Sequence, residues 1–408
     1  MEALRSTFTW LDYSEHERRR MLDVIHAFDE KGTRDELGIG TIRDGLADLL
    51  FPGTGTVQTR AKYFLLIPWV YLDLEAKGIP SRAIADKARG REIELIAALE
   101  KGGETNGGII GIEAKANLQR LPSNIYWQGL GVWGIRRFPG SQDQYHRALD
   151  GWYESKRDRQ PTDRGENYDD GSVRLNWHPA IPELPDGWRW NTTFNLTKEE
   201  ARFLRDCILH RIASSLLAKL VVLDRQLGDA EFCWASERHR DFPPTNRQQV
   251  AHAQNFSESV HGAALMYNLL LAEKAGKSDL EVGYREDIQT WSQLVLNSGQ
   301  RLASWDTGAF WALLRERGVR VPPRTFNFVC EWIRRVLGAR DPAKLADDKQ
   351  VRQLIRNREI ELKKGLARLE SARALELWNG AAGTGRLDFR WQVARQIVND
   401  VLEGLSHA

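Results

Sequence analysis

Apolar residues recur at helical spacing along most of the chain, and this pattern limits the possible fold more than any other feature of the sequence. From Ser257 to Lys274 they cover nearly every side of a helix, which predicts a central, fully buried helix in the second half. Thr197 and Glu200 form a capping box, which predicts that another helix starts there and extends to about Asp224. Similar patterns predict helices over residues 14–31, 41–50, 57–77, 82–101, 281–296, 306–317, 323–337, 347–377 and 388–405. The chain is therefore predicted to be mainly α.

A polar segment interrupts this helical pattern. Residues 154–194 are rich in charged residues and proline, a composition typical of a linker or a surface excursion. With 408 residues, the chain is long enough for two or three hydrophobic cores. We therefore expect a multi-helix two-domain protein, with an N-terminal helical domain over 1–153, a polar linker over 154–194 and a C-terminal helical domain over 195–408.

The composition narrows the class of protein. Hydrophobic residues make up 42% of the chain and charged residues 28%, which excludes a disordered protein. The net charge of +2 excludes a uniformly basic nucleic-acid coat. Cys207, Cys233 and Cys330 are few and far apart, which favours a reducing compartment over a disulfide framework. The N-terminus lacks the apolar core of a signal peptide, and the apolar run Tyr63–Leu72 is too short to span a bilayer, so a cytoplasmic protein without a membrane partner is expected.

The stretch from Leu118 to Leu149 combines aromatic, arginine and glycine residues as no other segment does. It contains the aromatic residues Tyr126, Trp127, Trp133, Phe138 and Tyr145 and the arginines Arg120, Arg136, Arg137 and Arg147. Its pattern predicts a small helix over 124–130, a turn and a short apolar strand over 132–135. Helix, turn and strand in this order predict a winged-helix-like portion within the N-terminal half.

Arginine forks onto phosphates and stacks on bases, and aromatic rings stack on unpaired bases, so this stretch predicts a nucleic-acid or partner surface. These residues do not select DNA over RNA, and DNA is the nucleic acid that we favour. A second basic set lies between residues 315 and 340, where seven arginines face two glutamates. Ion pairing within the protein explains the second set equally well. Trp127 is expected in the core. The predicted contact residues are Arg120, Trp133, Arg136, Arg137, Arg147, Arg320, Arg324, Arg334 and Arg335.

Catalytic and metal motifs are weak. Glu113 and Lys115 follow an apolar pair and are similar to the end of a nuclease motif in which a carboxylate and a lysine position a metal-activated water. The upstream aspartate of that motif is not evident, so a metal-dependent nuclease is the alternative hypothesis. Cys207 and His210 share a helix face but provide only two ligands, so neither a metal nor another cofactor is expected. The loop 51–56 lacks the Gly-Lys-Ser/Thr ending of a phosphate-binding loop and is predicted to be a connection.

Four runs carry a family resemblance: QTRAKYFLLIPWVY, LPSNIYWQGLGVWGIRRFPGS, HGAALMYNLLLAE and LDFRW. They resemble an uncharacterised bacterial family whose genes accompany those of helicases and phospholipase D-like nucleases in anti-phage defence clusters. The resemblance implies no catalytic residues. It implies a non-catalytic subunit of a defence complex that binds nucleic acid or docks an enzyme such as a helicase or nuclease. A scaffold that contacts only protein is a further alternative.

Overall fold

The computed structural model describes residues 35–104, 107–158 and 175–407, and this part of the chain is mainly helical, as predicted. No strand occurs within these ranges, and the only β pairing there is an isolated antiparallel bridge between Arg136 and Trp177. The α-helices are α1 (Gly40–Leu50), α2 (Tyr63–Ala76), α3 (Ser81–Lys101), α4 (Pro122–Val132), α5 (Gln142–Asp158), α6 (Lys198–Arg211), α7 (Leu216–Leu220), α8 (Pro244–Ala275), α9 (Ser278–Asn297), α10 (Gly299–Ala303), α11 (Thr307–Glu316), α12 (Pro323–Gly338), α13 (Lys349–Lys363), α14 (Ala372–Glu376) and α15 (Trp391–Ser406). None of these helices combines the length and apolar content needed to cross a membrane.

The described chain forms two compact units, each assembled from segments that are far apart in the sequence. The first contains residues 35–39, 261–293 and 334–385, and the second contains residues 40–260, 294–333 and 386–407 outside the gaps. These units do not follow the contiguous division at 153 and 195. The helix predicted over 14–31 lies outside the described residues, as do positions 159–174 of the predicted linker.

Two predicted helices are shorter than their apolar patterns suggest. The helix that starts at the Thr197 capping box ends at Arg211, because the backbone of Ile212 leaves the helical conformation with a φ of −134° and a ψ of 35°. Ser215 then caps the separate helix α7 by accepting from the Ala218 N–H. The helix predicted over 347–377 ends at Lys363, because Lys364 adopts a φ of +50° that a helix cannot contain. Backbone conformation at single residues thus divides apolar patterns that look continuous in the sequence.

The strand predicted over 132–135 is wrong. Helix α4 extends through Val132, and the N–H of Trp133 still donates to the Gly129 carbonyl at 2.9 Å. Gly134 then takes a φ of +72°, which closes the helix end and leaves the apolar run buried in a turn. The small helix of the prediction is confirmed and extended to Pro122–Val132, but the winged-helix-like portion is not confirmed.

The core of the second unit forms around α2, whose residues are buried almost without interruption. This helix packs against α3 and α4, while α6 packs against α15. Two ion pairs to buried carboxylates fix the start of α2: Lys62 lies 2.5 Å from Glu200 on α6, and the half-buried Arg60 lies 3.0 Å from Asp400 on α15. Glycine allows the closest approach, since a Cβ on Gly129 would lie 2.3 Å from the Gly53 carbonyl oxygen. The loop 51–56 thus packs as a connection against α4.

The core of the first unit contains a buried carboxylate that joins distant parts of its sequence. Glu359 on α13 accepts a hydrogen bond from the Tyr267 hydroxyl at 2.5 Å. It also accepts from the backbone N–H groups of Arg368 and Leu369, each at 2.9 Å. Lys363 lies 3.3 Å from the same carboxylate, so the buried charge has both hydrogen bonds and a cation.

Candidate functional site

A cleft of about 1020 Å³ opens in the second unit between the C-terminal end of α4, the segment after it and α6. Within the described part of the chain, all of its lining residues belong to that unit. Its ionisable side chains are Arg136, Arg137, His178, Glu199, Asp206, Cys207, His210 and Arg211. Sequence reasoning selected two of these arginines and noted that Cys207 and His210 share a face, but it missed His178 and Arg211.

Arg136 is a structural residue, which corrects the expectation that it faces a partner. Its side chain is buried, and its guanidinium donates to the carbonyls of Trp127 at 3.2 Å, Phe138 and Gly140 at 3.0 Å. The guanidinium also lies 4.8 Å from the centroid of the Trp127 ring. Burial lowers the pKa of Arg136 from its ordinary value. These contacts hold the segment that follows it in one conformation.

That segment, Arg137–Phe138–Pro139, is called the 137–139 ridge, and it is fixed from two sides. The N–H groups of Arg137 and Phe138 both donate to the Asn176 carbonyl, at 2.8 and 3.1 Å. The Asn176 amide in turn donates to Glu75 at 3.0 Å, together with the Trp177 indole at 3.0 Å. Burial raises the pKa of Glu75, although these donors oppose the shift. The ridge therefore presents Arg137 from a rigid base.

Arg137 and Arg211 are the exposed arginines of the cleft. Within the described residues, neither guanidinium has an ion-pair or hydrogen-bond partner. The cleft also contains two acidic residues, Glu199 and Asp206, of which Asp206 is nearer to Arg211 in the sequence. Asp206 lies 3.0 Å from Arg205, which compensates its charge. Arg211 lies in the last turn of α6, where the helix dipole favours a cation. The dipole does not occupy the N–H groups of the guanidinium, which can still donate to a ligand. The cleft thus offers two forked donors to an anion.

Two histidines line the same cleft with defined ring orientations. His178 accepts from the Ala180 N–H through Nδ1 at 3.2 Å, so its neutral ring carries the proton on Nε2. Burial lowers the pKa of His178, and electrostatic interactions with Arg137 and His210 lower it further. Nδ1 of His210 lies 2.9 Å from the Asp206 carbonyl and must donate to it. His178 is therefore a neutral donor near pH 7.

Cys207 lines the cleft as a buried thiol whose environment disfavours the reactive thiolate. Its side chain is buried, and burial raises the pKa of its thiol to about 12. Only the thiolate attacks electrophiles, so the reactive fraction near neutral pH is very small.

Alkylation measures this directly. In the folded protein at pH 8, iodoacetamide is expected to label Cys207 roughly 10³-fold more slowly than an ordinary thiol, because the fraction of thiolate falls by that factor. Peptide mass spectrometry gives the rate for this cysteine separately from Cys233 and Cys330. The control is the same reaction in urea, where the three rates should converge. Fast labelling in the folded state would show an activated thiol and favour a catalytic cleft.

The two tryptophans of the stretch are core residues. Trp133 is fully buried, stacks on Phe64 with ring centroids 3.8 Å apart and donates from Nε1 to the Pro52 carbonyl at 2.9 Å. Its burial contradicts the expectation that it contacts a partner. Trp127 is 7% exposed, which confirms that it lies in the core.

The other residues predicted in the first half lie outside the cleft. Arg120 and Arg147 are exposed, and Arg147 lies 3.1 Å from Asp143 one turn earlier on α5. Glu113 and Lys115 are exposed at a turn, and Lys115 lies 3.5 Å from Glu100. Within the described part of the chain, no group of three or more His, Cys, Asp or Glu residues is arranged to hold a metal ion.

The second basic set does not form one surface within a single unit. Arg320 and Arg324 belong to the second unit, whereas Arg334 and Arg335 belong to the first. Arg335 is half-buried, donates to Gln350 at 2.9 Å and lies 3.9 Å from Asp348. Contacts within the protein therefore explain Arg335.

The chain belongs to a family of unknown function, DUF6361, whose sequence model matches residues 5–404. This match agrees with the resemblance to an uncharacterised family. It says nothing about the neighbouring genes that the resemblance implies. No curated protein and no solved structure matches the chain.

Proposed function

We propose that this protein is a non-catalytic DNA-binding subunit whose cleft holds the phosphate backbone. The observation that supports the proposal is Arg137, an exposed arginine without a partner in the described residues, held on a rigid ridge beside Arg211. A guanidinium forks onto a phosphate through two parallel N–H donors, and a fixed base reduces the entropy that binding costs.

The histidines and the cysteine of the cleft support binding rather than chemistry. His178 remains a neutral donor at neutral pH and is suited to a phosphate oxygen. Cys207 remains a protonated thiol. Glu113 and Lys115 lie on an exposed turn, where Lys115 pairs with Glu100 at 3.5 Å, and the described residues include no group of three or more His, Cys, Asp or Glu residues that could hold a metal ion. No observation favours the nuclease alternative.

The wider setting of this function rests on the family resemblance. In that setting the protein binds DNA as part of an anti-phage defence complex and brings a helicase or nuclease to it. The exposed arginines outside the cleft, Arg120, Arg147 and Arg320, then remain candidates for contacts with DNA or with the partner enzyme.

Charge reversal in the cleft tests the proposal. The double variant Arg137→Glu, Arg211→Glu is expected to weaken binding to a labelled oligonucleotide roughly 25- to 60-fold at about 0.1 M salt. Each phosphate contact makes the binding constant vary with salt concentration to a power of about −0.7 to −0.9, so the loss of two contacts at about 0.1 M, relative to about 1 M, gives this factor. The log–log salt dependence should flatten by about one unit for each arginine that no longer neutralises a phosphate. Fluorescence anisotropy at several salt concentrations measures both quantities.

The matched control is Lys87→Glu, Lys101→Glu on α3. These lysines are exposed, lie in the same unit and do not line the cleft, so the net charge changes equally. Binding by the control should stay within a few-fold of the natural protein. Equal losses in both variants would show a diffuse charge effect, and no DNA binding by the natural protein would leave only a protein-binding role.

A further inference from the structure

We propose that an apolar cleft on the other side of the 137–139 ridge receives an unpaired base, so that the preferred ligand is single-stranded DNA. This inference rests on the proposed function, since it needs a phosphate on Arg137 to bring the base to the ridge. It adds the kind of strand that is bound and a second site with different chemistry.

The second cleft has a volume of about 570 Å³, and its lining is mainly apolar and aromatic. Phe138, Tyr145 and Trp152 line it together with Ala148 and Leu149. The ridge residues Arg137, Phe138 and Pro139 line both clefts. The phosphate site and the apolar site are therefore adjacent, and one ridge separates them.

The aromatic side chains at this cleft are held in place. Tyr145 donates its hydroxyl to Glu75 at 2.5 Å, which fixes the ring and uses its polar group. The half-buried ring of Phe138 meets the Tyr145 ring edge-on, with centroids 5.6 Å apart. Tyr145 is only 1% exposed and supports Phe138, so the half-buried Phe138 ring is the surface on which a base stacks. A rigid ring without polar groups stacks on any base but does not read its edge. Binding should therefore depend on the presence of a base more than on which base it is.

Charge complementarity selects a nucleotide over an apolar side chain of a protein partner. Arg137 and Arg211 create a cationic site directly beside the apolar cleft, and within the described residues both guanidiniums lack partners. A nucleotide places an anion and a flat aromatic group within one residue of each other, which matches this pair of sites. A base that is paired within a duplex cannot enter a cleft, whereas an unpaired base can.

The experiment compares three ligands on the full-length protein: a single-stranded oligonucleotide, the same length of abasic strand, and the duplex. We expect the single strand to bind roughly 5- to 150-fold more tightly than the abasic strand, since stacking on aromatic side chains gives about that factor per base. Ala148→Leu, at an exposed position of α5, should narrow the cleft without adding a ring on which a base can stack, and so reduce this preference. Phe138→Ala should reduce it without narrowing the cleft, and thermal melting of both variants verifies that they fold.

The outcomes separate this inference from the proposed function. If none of the three ligands binds, the proposed function fails. If all bind equally, or the duplex binds best, phosphate binding stands and the base site is wrong. If the preference for bases persists in both Ala148→Leu and Phe138→Ala, unpaired bases bind elsewhere on the protein and the assignment to this cleft is wrong. A preference that both variants reduce supports the inference.

Discussion

Replacing Trp133 by alanine is expected to lower the free energy of unfolding of its unit by about 3–5 kcal/mol. The side chain is fully buried and stacks on Phe64 with centroids 3.8 Å apart, so its removal leaves a large cavity. It also leaves the Pro52 carbonyl without the donor that lies 2.9 Å away. Urea denaturation followed by circular dichroism measures the decrease.

Trp190 provides the matched control, because it is the same residue type in the same unit but is 65% exposed. Trp190→Ala should change stability by no more than about 0.5 kcal/mol, as is usual for surface substitutions. If both variants unfold at the same urea concentration, Trp133 is not a core residue. If Trp133→Ala is as stable as the natural protein but no longer binds DNA, Trp133 contacts the ligand, as the sequence analysis predicted.

The sequence predicts the helices well but not how neighbouring arginines divide their roles. Arg136 and Arg137 are adjacent and identical, so composition assigns both to a partner surface. The structure buries Arg136 against Trp127 and exposes Arg137, because the bridge to Trp177 directs alternate side chains to opposite sides. This pairing partner lies about forty positions away, beyond the reach of any local pattern.

The other missed features have the same cause. The apolar run after α4 looks like a strand, but Gly134 turns it into a helix end whose burial depends on tertiary contacts. Arg211 and His178 carry no local signal, since only the packing of α6 beside the ridge brings them to one cleft. Residue spacing alone predicts that Cys207 and His210 share a helix face. It does not predict that Arg137 and His178 line the same cleft.

A buried ionisable group is difficult to recognise in a sequence. Glu92 is such a group, and its burial should make the stability of the protein depend on pH. Glu92 is fully buried on α3 and accepts from the Ser123 N–H and hydroxyl, each at 2.7 Å. Burial raises the pKa of Glu92 from 4.5 to about 7, while Ser123 opposes the shift. The folded state therefore holds a proton that the unfolded state releases between these pH values. Stability from this group is complete below pH 4.5 and is lost as pH rises through about 7.

Glu92→Gln removes that titration and should become more stable relative to the natural protein as pH rises. The expected gain between about pH 5 and pH 8 is roughly 2–3 kcal/mol, since each unit of pKa shift corresponds to about 1.4 kcal/mol. Urea denaturation at both pH values measures this difference, in which other titrating groups cancel. Glu94→Gln is the control, because it makes the same substitution at an exposed position of the same helix. If the stability difference between Glu92→Gln and the natural protein is the same at both pH values, the carboxylate ionises as easily in the folded state as in the unfolded state. Hydrogen bonds from Ser123 and the charge of nearby Arg89 would then stabilise the ionised carboxylate enough to offset its burial.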